Sequence, residues 1–124
     1  MIDTYLQFLS EGFKYKNTYQ EGNKVWYATT LIKASKNLPV KSMSINNKLL
    51  NTKIQWTLDT FFDLKQHMIR MKNAELKYPV IVGPKGIIID GYHRLMKAIS
   101  LKKTSIKYVK LDKLPPHDFT SRKI

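Results

Sequence analysis

Gly86-Ile87-Ile88-Ile89-Asp90-Gly91-Tyr92-His93-Arg94-Leu95-Met96-Lys97-Ala98 is an apolar run that breaks abruptly into a polar helix start. Isoleucines 87–89, following the turn residues Gly83, Pro84, Lys85 and Gly86, predict a short strand. Asp90 reads as the cap of the next helix, and Leu95, Ala98 and Ile99 recur at the spacing of its inward face. A helix N-terminus carries unpaired backbone N–H groups and a partial positive charge. Here Gly91 leaves the backbone open, while His93 and Arg94 add side-chain donors, so the junction is the expected seat of a phosphate. Cations in a first helical turn oppose the helix dipole unless an anion is nearby.

Each residue of this junction has a structural reading beside its chemical one. Capping alone explains Asp90, at about 1 kcal/mol. As a functional carboxylate it would repel a phosphate, and so implies Mg2+ or a hydroxyl substrate to orient. Gly91 permits a tight turn and also a ligand's approach to the backbone. Tyr92 reads as a packing or stacking group. His93 is either a neutral imidazole bonded to a carbonyl or a phosphate ligand, and with Asp90 it forms the candidate catalytic pair. Arg94 either pairs with Asp90 or Glu75 or grips phosphate, and Lys97, one turn beyond His93, either extends that positive face or is solvated.

Outward from the junction, Tyr78–Val82 predicts a buried strand led by Pro79, and Ser105–Leu111 a final one. Upstream, Thr57 can cap a helix with Asp59 in its first turn, its core face formed by Leu58, Phe61, Phe62, Met68 and Ile69. Val40, Met43 and Ile45 fit a short strand within 38–45, followed by a polar loop at 46–53. Ile2, Tyr5, Leu6, Leu9 and Phe13 are spaced for an opening helix. Residues 15–23 read as a loop, with Asn23 capping a second helix through Val25, Trp26, Leu31 and Ile32 that Pro39 stops. Pro115 and Pro116 lead into a basic tail with little reason to be ordered. The expected organisation is a helical N-terminal extension (1–36) packed on a core domain (37–114), then the tail (115–124).

The chain of 124 residues is 43% hydrophobic, enough for one domain with a modest core. Its 22 Lys and Arg against 9 Asp and Glu give a formal charge of +13, a field that favours nucleic acid, nucleotides or another acidic partner. Lysine dominates over arginine, which argues against reading of base edges. Lys102, Lys103, Lys107, Lys110 and Lys113 could follow a nucleic-acid backbone with Tyr108 stacking on a base, or simply form a solvated basic edge. The chain has no cysteine, which removes disulfides, thiolate metal sites and cysteine nucleophiles. Neither a membrane span nor a secretory leader is apparent, so a cytoplasmic protein is expected. The abundance of Lys, Asn and Ile fits an AT-rich genome such as that of a phage or its host.

The stretch 78–112, with Pro79, Val80, Ile81, Val82, then Ile89, Asp90, Gly91, Tyr92, His93, Arg94 and Ala98, resembles the ParB/sulfiredoxin-like domain superfamily. With the strand at 38–45 and the helix from Thr57, the resemblance covers roughly two thirds of the chain. It implies an α/β (α+β) fold: a small mixed sheet with flanking helices, to which the helical N-terminal extension is added. Tyr92 stands where sulfiredoxins carry their catalytic cysteine, which excludes that chemistry here.

The resemblance implies binding of a nucleotide or a nucleic-acid phosphate in a DNA-related process, with ATP, CTP or another nucleotide and Mg2+ as cofactor and NTP hydrolysis as an accompanying activity. Gly91, Tyr92, His93, Arg94 and Lys97 would form the phosphate site. Partition-type ParB domains precede a helix-turn-helix reader, and none follows Asp112. Free-serine kinases share the Asp-Gly-x-His-Arg motif but use a further glutamate near the first strand. Between Leu38 and Gln55 this chain has no acidic residue, so a phosphotransferase would need Asp59 or Asp63 as base. Metal-dependent cleavage needs more convergent ligands than Asp90 and His93 supply, unless His67 and His117 join them through the fold. A degenerate domain that binds a protein partner as inhibitor or regulator is the third reading.

Overall fold

The computed structural model describes residues 18–55 and 58–121. The opening helix expected from Ile2 to Phe13 lies outside the described residues, as does the expected cap Thr57. Among the described residues the fold is α+β, with a four-stranded and a three-stranded sheet and four helices.

The central sheet is built from β3 (Lys41–Ser44), β4 (Val80–Val82), β5 (Ile88–Asp90) and β6 (Ser105–Lys110), ordered β3-β6-β4-β5. β6 runs antiparallel to β3 and parallel to β4, and β4 runs antiparallel to β5, so the sheet is mixed as expected. Val80, Ile81 and Val82 are all buried because both faces of β4 are covered. On one face Val80, Val82, Ile88 and Ile106 pack with Ala98 of the helix α4 (Tyr92–Ser100). On the other, Ile81, Ile89, Val109 and Leu111 pack with Tyr19, Trp26 and Leu31.

That second cover departs from the expected helical extension. Residues 18–27 form a hairpin of β1 (Thr18–Glu21) and β2 (Lys24–Tyr27), and helix α1 (Ala28–Ser35) begins only afterwards. Gly22 takes the left-handed φ of 59° that closes the two-residue turn with Asn23, and the β-formers Val25, Trp26 and Tyr27 then extend rather than coil. Asn23 is therefore a turn residue and not a helix cap.

The C-terminal segment is ordered through Ser121, contrary to the expected loose tail. β7 (Phe119–Thr120) adds antiparallel to β2. Trp26 Nε1 donates to the Pro115 carbonyl at 2.6 Å. α1 has no side-chain cap from its own N-cap residue and no acidic residue in its first turn. Asp118 supplies both, accepting from Tyr27 N at 2.8 Å and Thr30 Oγ1 at 2.9 Å.

The helix expected to start at Thr57 is α3 (Phe61–Asn73), capped by Thr60. Thr60 Oγ1 accepts from Asp63 N, and Asp63 Oδ2 accepts from Thr60 N and Asp59 N. Thr57 has threonine three positions on, whereas Thr60 has Asp63, which satisfies two otherwise orphaned donors reciprocally. In the expected loop at 46–53, Asn46 caps the single turn α2 (Asn47–Leu50).

The orientation of α3 reverses the expectation more deeply. α3 packs on α4 and buries Asp63 and His67, while Phe61, Phe62, Met68 and Ile69 face outward. Phe61 is 90% exposed. The apolar stripe read as core is thus surface, because α4 already fills the sheet face and offers α3 a polar flank.

Candidate functional site

The strand-to-helix junction forms as expected between β5 and α4. Its cap, however, is Gly91 at φ 101°, and Asp90 makes no capping bond to the helix. Asp90 is the last residue of β5 and lies 3.8 Å from Arg94 Nη1 across one helical turn. Burial pushes its carboxyl up to about 6, against the pull of the Arg94 charge.

Gly91 is required by packing. A Cβ there would lie 2.8 Å from Val80 Cγ1 and 3.0 Å from Val80 Cβ. The space that the missing side chain leaves is occupied by β4, so the helix start seats closely on the sheet.

The donors assigned to phosphate have internal partners. Arg94 Nη1 donates to the Pro79 carbonyl at 3.0 Å, so of its two expected ionic partners it takes Asp90, while Glu75 pairs with Lys77. Lys97 Nζ donates to Lys72 O at 3.0 Å and Ala74 O at 2.6 Å. It therefore closes the C-terminal end of α3, where a cation complements the helix dipole, and does not extend the phosphate face. Tyr92 is half-buried beside the Val80 cluster, as the packing reading requires, and burial raises its phenol.

His93 meets a residue from the other helix. His67 Nδ1 lies 2.9 Å from His93 Nε2, with the rings stacked at 5.2 Å and 19°. One nitrogen donates and the other accepts. Burial first, and then the charges of Arg70, His67 and Arg94, push the His93 imidazolium down to about 3. His67 thus joins the junction, as one reading of the sequence allowed. His117 does not, since it packs edge-on against Trp26 and near Thr120.

Arg70 was not singled out by the sequence. It sits one turn beyond His67 on the same inward stripe of α3, is half-buried, and acts electrostatically on His93. The signal was present in the i, i+4, i+7 spacing of Asp63, His67 and Arg70, but the stronger apolar stripe obscured it. Asp63 is committed to the α3 cap, so it is no general base. Among the described residues no group of three or more His, Asp or Glu is placed to hold a metal ion.

The lysine row is divided. Lys107 and Lys110 lie on β6, an interior strand of its sheet, and alternation sends them to opposite faces. Tyr108 is half-buried between them, and Lys102 and Lys103 lie in the turn after α4. No helix among the described residues is long and apolar enough to cross a membrane.

Comparison with protein-family models, with characterised proteins and with solved structures finds no match to this chain.

Proposed function

We propose that this protein is a ParB-like phosphate-binding domain, taking a nucleotide or a nucleic-acid phosphate in a DNA-related process. What supports the reading is the convergence of Arg70, Arg94, His67 and His93 where α3 meets the start of α4. Burial, and after it the charges of Arg70, His67 and Arg94, make a protonated His93 unfavourable, so part of the effect is repulsion between cations, and Asp90 is the carboxylate paired with Arg94 there. An oxyanion would relieve that repulsion. Its ligands would be His93, by exchanging its contact with His67, and Arg94, through guanidinium nitrogens other than the Nη1 that holds the Pro79 carbonyl, with Arg70 as the added contact. Gly91 and Tyr92 shape the seat, and Lys97 acts indirectly by fixing α3.

The cofactor fitting this charge is a nucleoside triphosphate such as ATP or CTP. Its Mg2+ is best held by the nucleotide's own oxygens, with at most Asp90 from the protein. Hydrolysis would require Asp90 in its ionised form to orient the water, which its value near 6 permits at neutral pH.

Thermal denaturation of the full chain against ATP, CTP, ADP, inorganic phosphate and a short oligonucleotide, with and without Mg2+, tests the reading. A ligand at 100 times its Kd adds about 2.7 kcal/mol of stability. The expected result is a rise in Tm with at least one phosphate compound, lost in Arg70→Gln and Arg94→Lys. A chain unmoved by every phosphate compound rejects the proposal. A response to the oligonucleotide alone that survives both substitutions moves binding to the lysines, Lys102, Lys103, Lys107 and Lys110.

A further inference from the structure

A groove of about 610 Å3 runs along the outer side of α3 and α4, floored by Phe61, Leu64, Met68, Ile69 and Leu101. Phe61, Leu64, Met68 and Leu101 are each at least 41% exposed. Lys65 and Lys72 edge it, and among the described residues neither makes an ion pair and no Asp or Glu lines the groove. An apolar floor with a rim of a single charge sign marks a recognition surface.

We propose that this groove docks an acidic amphipathic helix of a partner protein. Its walls are two helices whose backbone groups bond within their own turns, so no main-chain edge is offered to an extended peptide. Recognition falls to side chains. Phe61, Leu64 and Met68 stand at the i, i+3, i+7 spacing that meets the apolar stripe of a second helix, and the unbranched Met68 and Met71 let the surface adapt to it. Lys65 and Lys72 lie two turns apart on the same side of α3, so carboxylates with that spacing on the partner match both. The 13 residues of α3 span about 20 Å, which sets the length of helix that the groove covers.

Other occupants fit less well. Nucleic acid is drawn by the charge of +13, but in this groove its phosphates would lie against Phe61 and Leu64 without hydrogen-bond donors. A second copy of the chain brings no acidic complement. Its described helices carry one acidic residue, Asp63, which is buried, and its first 16 residues balance Asp3 and Glu11 with Lys14 and Lys16. Two such copies also repel as wholes.

The test uses the full chain and a fluorescein-labelled peptide of about 18 residues, five helical turns, with leucines along one face and glutamates elsewhere. One control peptide has the same composition with the leucines scattered round the helix, and a second has lysine in place of glutamate. Fluorescence anisotropy should show micromolar binding of the acidic amphipathic peptide, at least tenfold tighter than either control. Leu64→Gln with Met68→Gln, and separately Lys65→Glu with Lys72→Glu, should each weaken it at least tenfold, and the second variant should take the lysine peptide instead. Circular dichroism checks the fold of both, and the lysine variant, altered only at exposed positions, carries the test if the other unfolds. Equal binding of the amphipathic and scattered peptides, no binding of either, or binding that survives the substitutions overturns the proposal. Self-association of the chain alone that Leu64→Gln with Met68→Gln abolishes assigns the groove to a second copy and overturns it. Cosedimentation with phosphatidylglycerol vesicles that the same variant abolishes, without peptide binding, assigns the groove to a membrane surface and overturns it as well.

Discussion

His67 on α3 and His93 on α4 stand nitrogen to nitrogen at 2.9 Å, and this contact defines how the two helices meet. An ordinary helix pair buries aliphatic ridges. Here the buried side of α3 carries Asp63 and His67, with Arg70 half-buried beyond, and the apolar side looks outward. Such polar burial costs stability unless its groups are mutually satisfied, so a site formed there is held at the expense of packing.

The stability of the protein has two opposing pH dependences at this site. Asp90 is raised from 3.8 to about 6, so its favourable contribution is present below pH 4 and lost as pH rises through 6. His93 is lowered from 6.5 to about 3, so its contribution is present above pH 6.5 and lost as pH falls toward 3. Between pH 4 and 6 the slopes offset. Asp90→Asn should therefore gain stability with rising pH across that window, and His93→Gln should lose it, each by at most about 1.4 kcal/mol per pH unit. Urea midpoints at several pH values measure both, and slopes of the same sign in the two variants contradict the assignment.

Gly91→Ala should be among the most damaging small substitutions in the chain. A left-handed φ costs alanine about 1–2 kcal/mol, and the contact with Val80 adds about 1–3. Gly22→Ala has a φ of 59° but nothing within 4 Å of the added carbon, so it carries only the first cost. Equal losses of Tm in the two variants would dismiss the Val80 contact.

Removing the ammonium with Lys97→Met should loosen the end of α3 by about 1 kcal/mol, since Lys72 O and Ala74 O lose their donor. Hydrogen exchange should quicken at residues 70–74 while β4 stays protected. Unchanged exchange there would show that solvent replaces the lysine without cost.

Asp118→Ala uncaps a helix that begins 90 residues earlier, at Ala28. The expected loss is about 1 kcal/mol, with faster exchange at both α1 and the β2–β7 pair. Asp118→Asn, which keeps an acceptor, should recover most of it.

Much of the core was legible because its signals are local. Val80–Val82 and Ile88–Asp90 are strands bounded by a Gly-Pro-Lys-Gly turn, and α4 follows immediately. The start of α3 was displaced by three residues because two threonines compete as caps, and Asp63 decides between them. The hairpin at 18–27 looks like loop and helix in the sequence, since four-residue strands leave little periodicity to detect.

The amino-acid order alone marked the strands at 80–82 and 88–90, the helix that follows them and the glycine at the strand-to-helix corner, since each rests on neighbours within a few residues, whereas the mixed sheet joins strands up to about 65 residues apart. Tertiary packing chose which face of α3 turns inward, where Lys97 and Arg94 direct their charges, and that His67 and Arg70 stand beside His93. An amphipathic stripe fixes the two sides of a helix but not which of them another element will cover; that depends on surfaces built by residues distant in the chain.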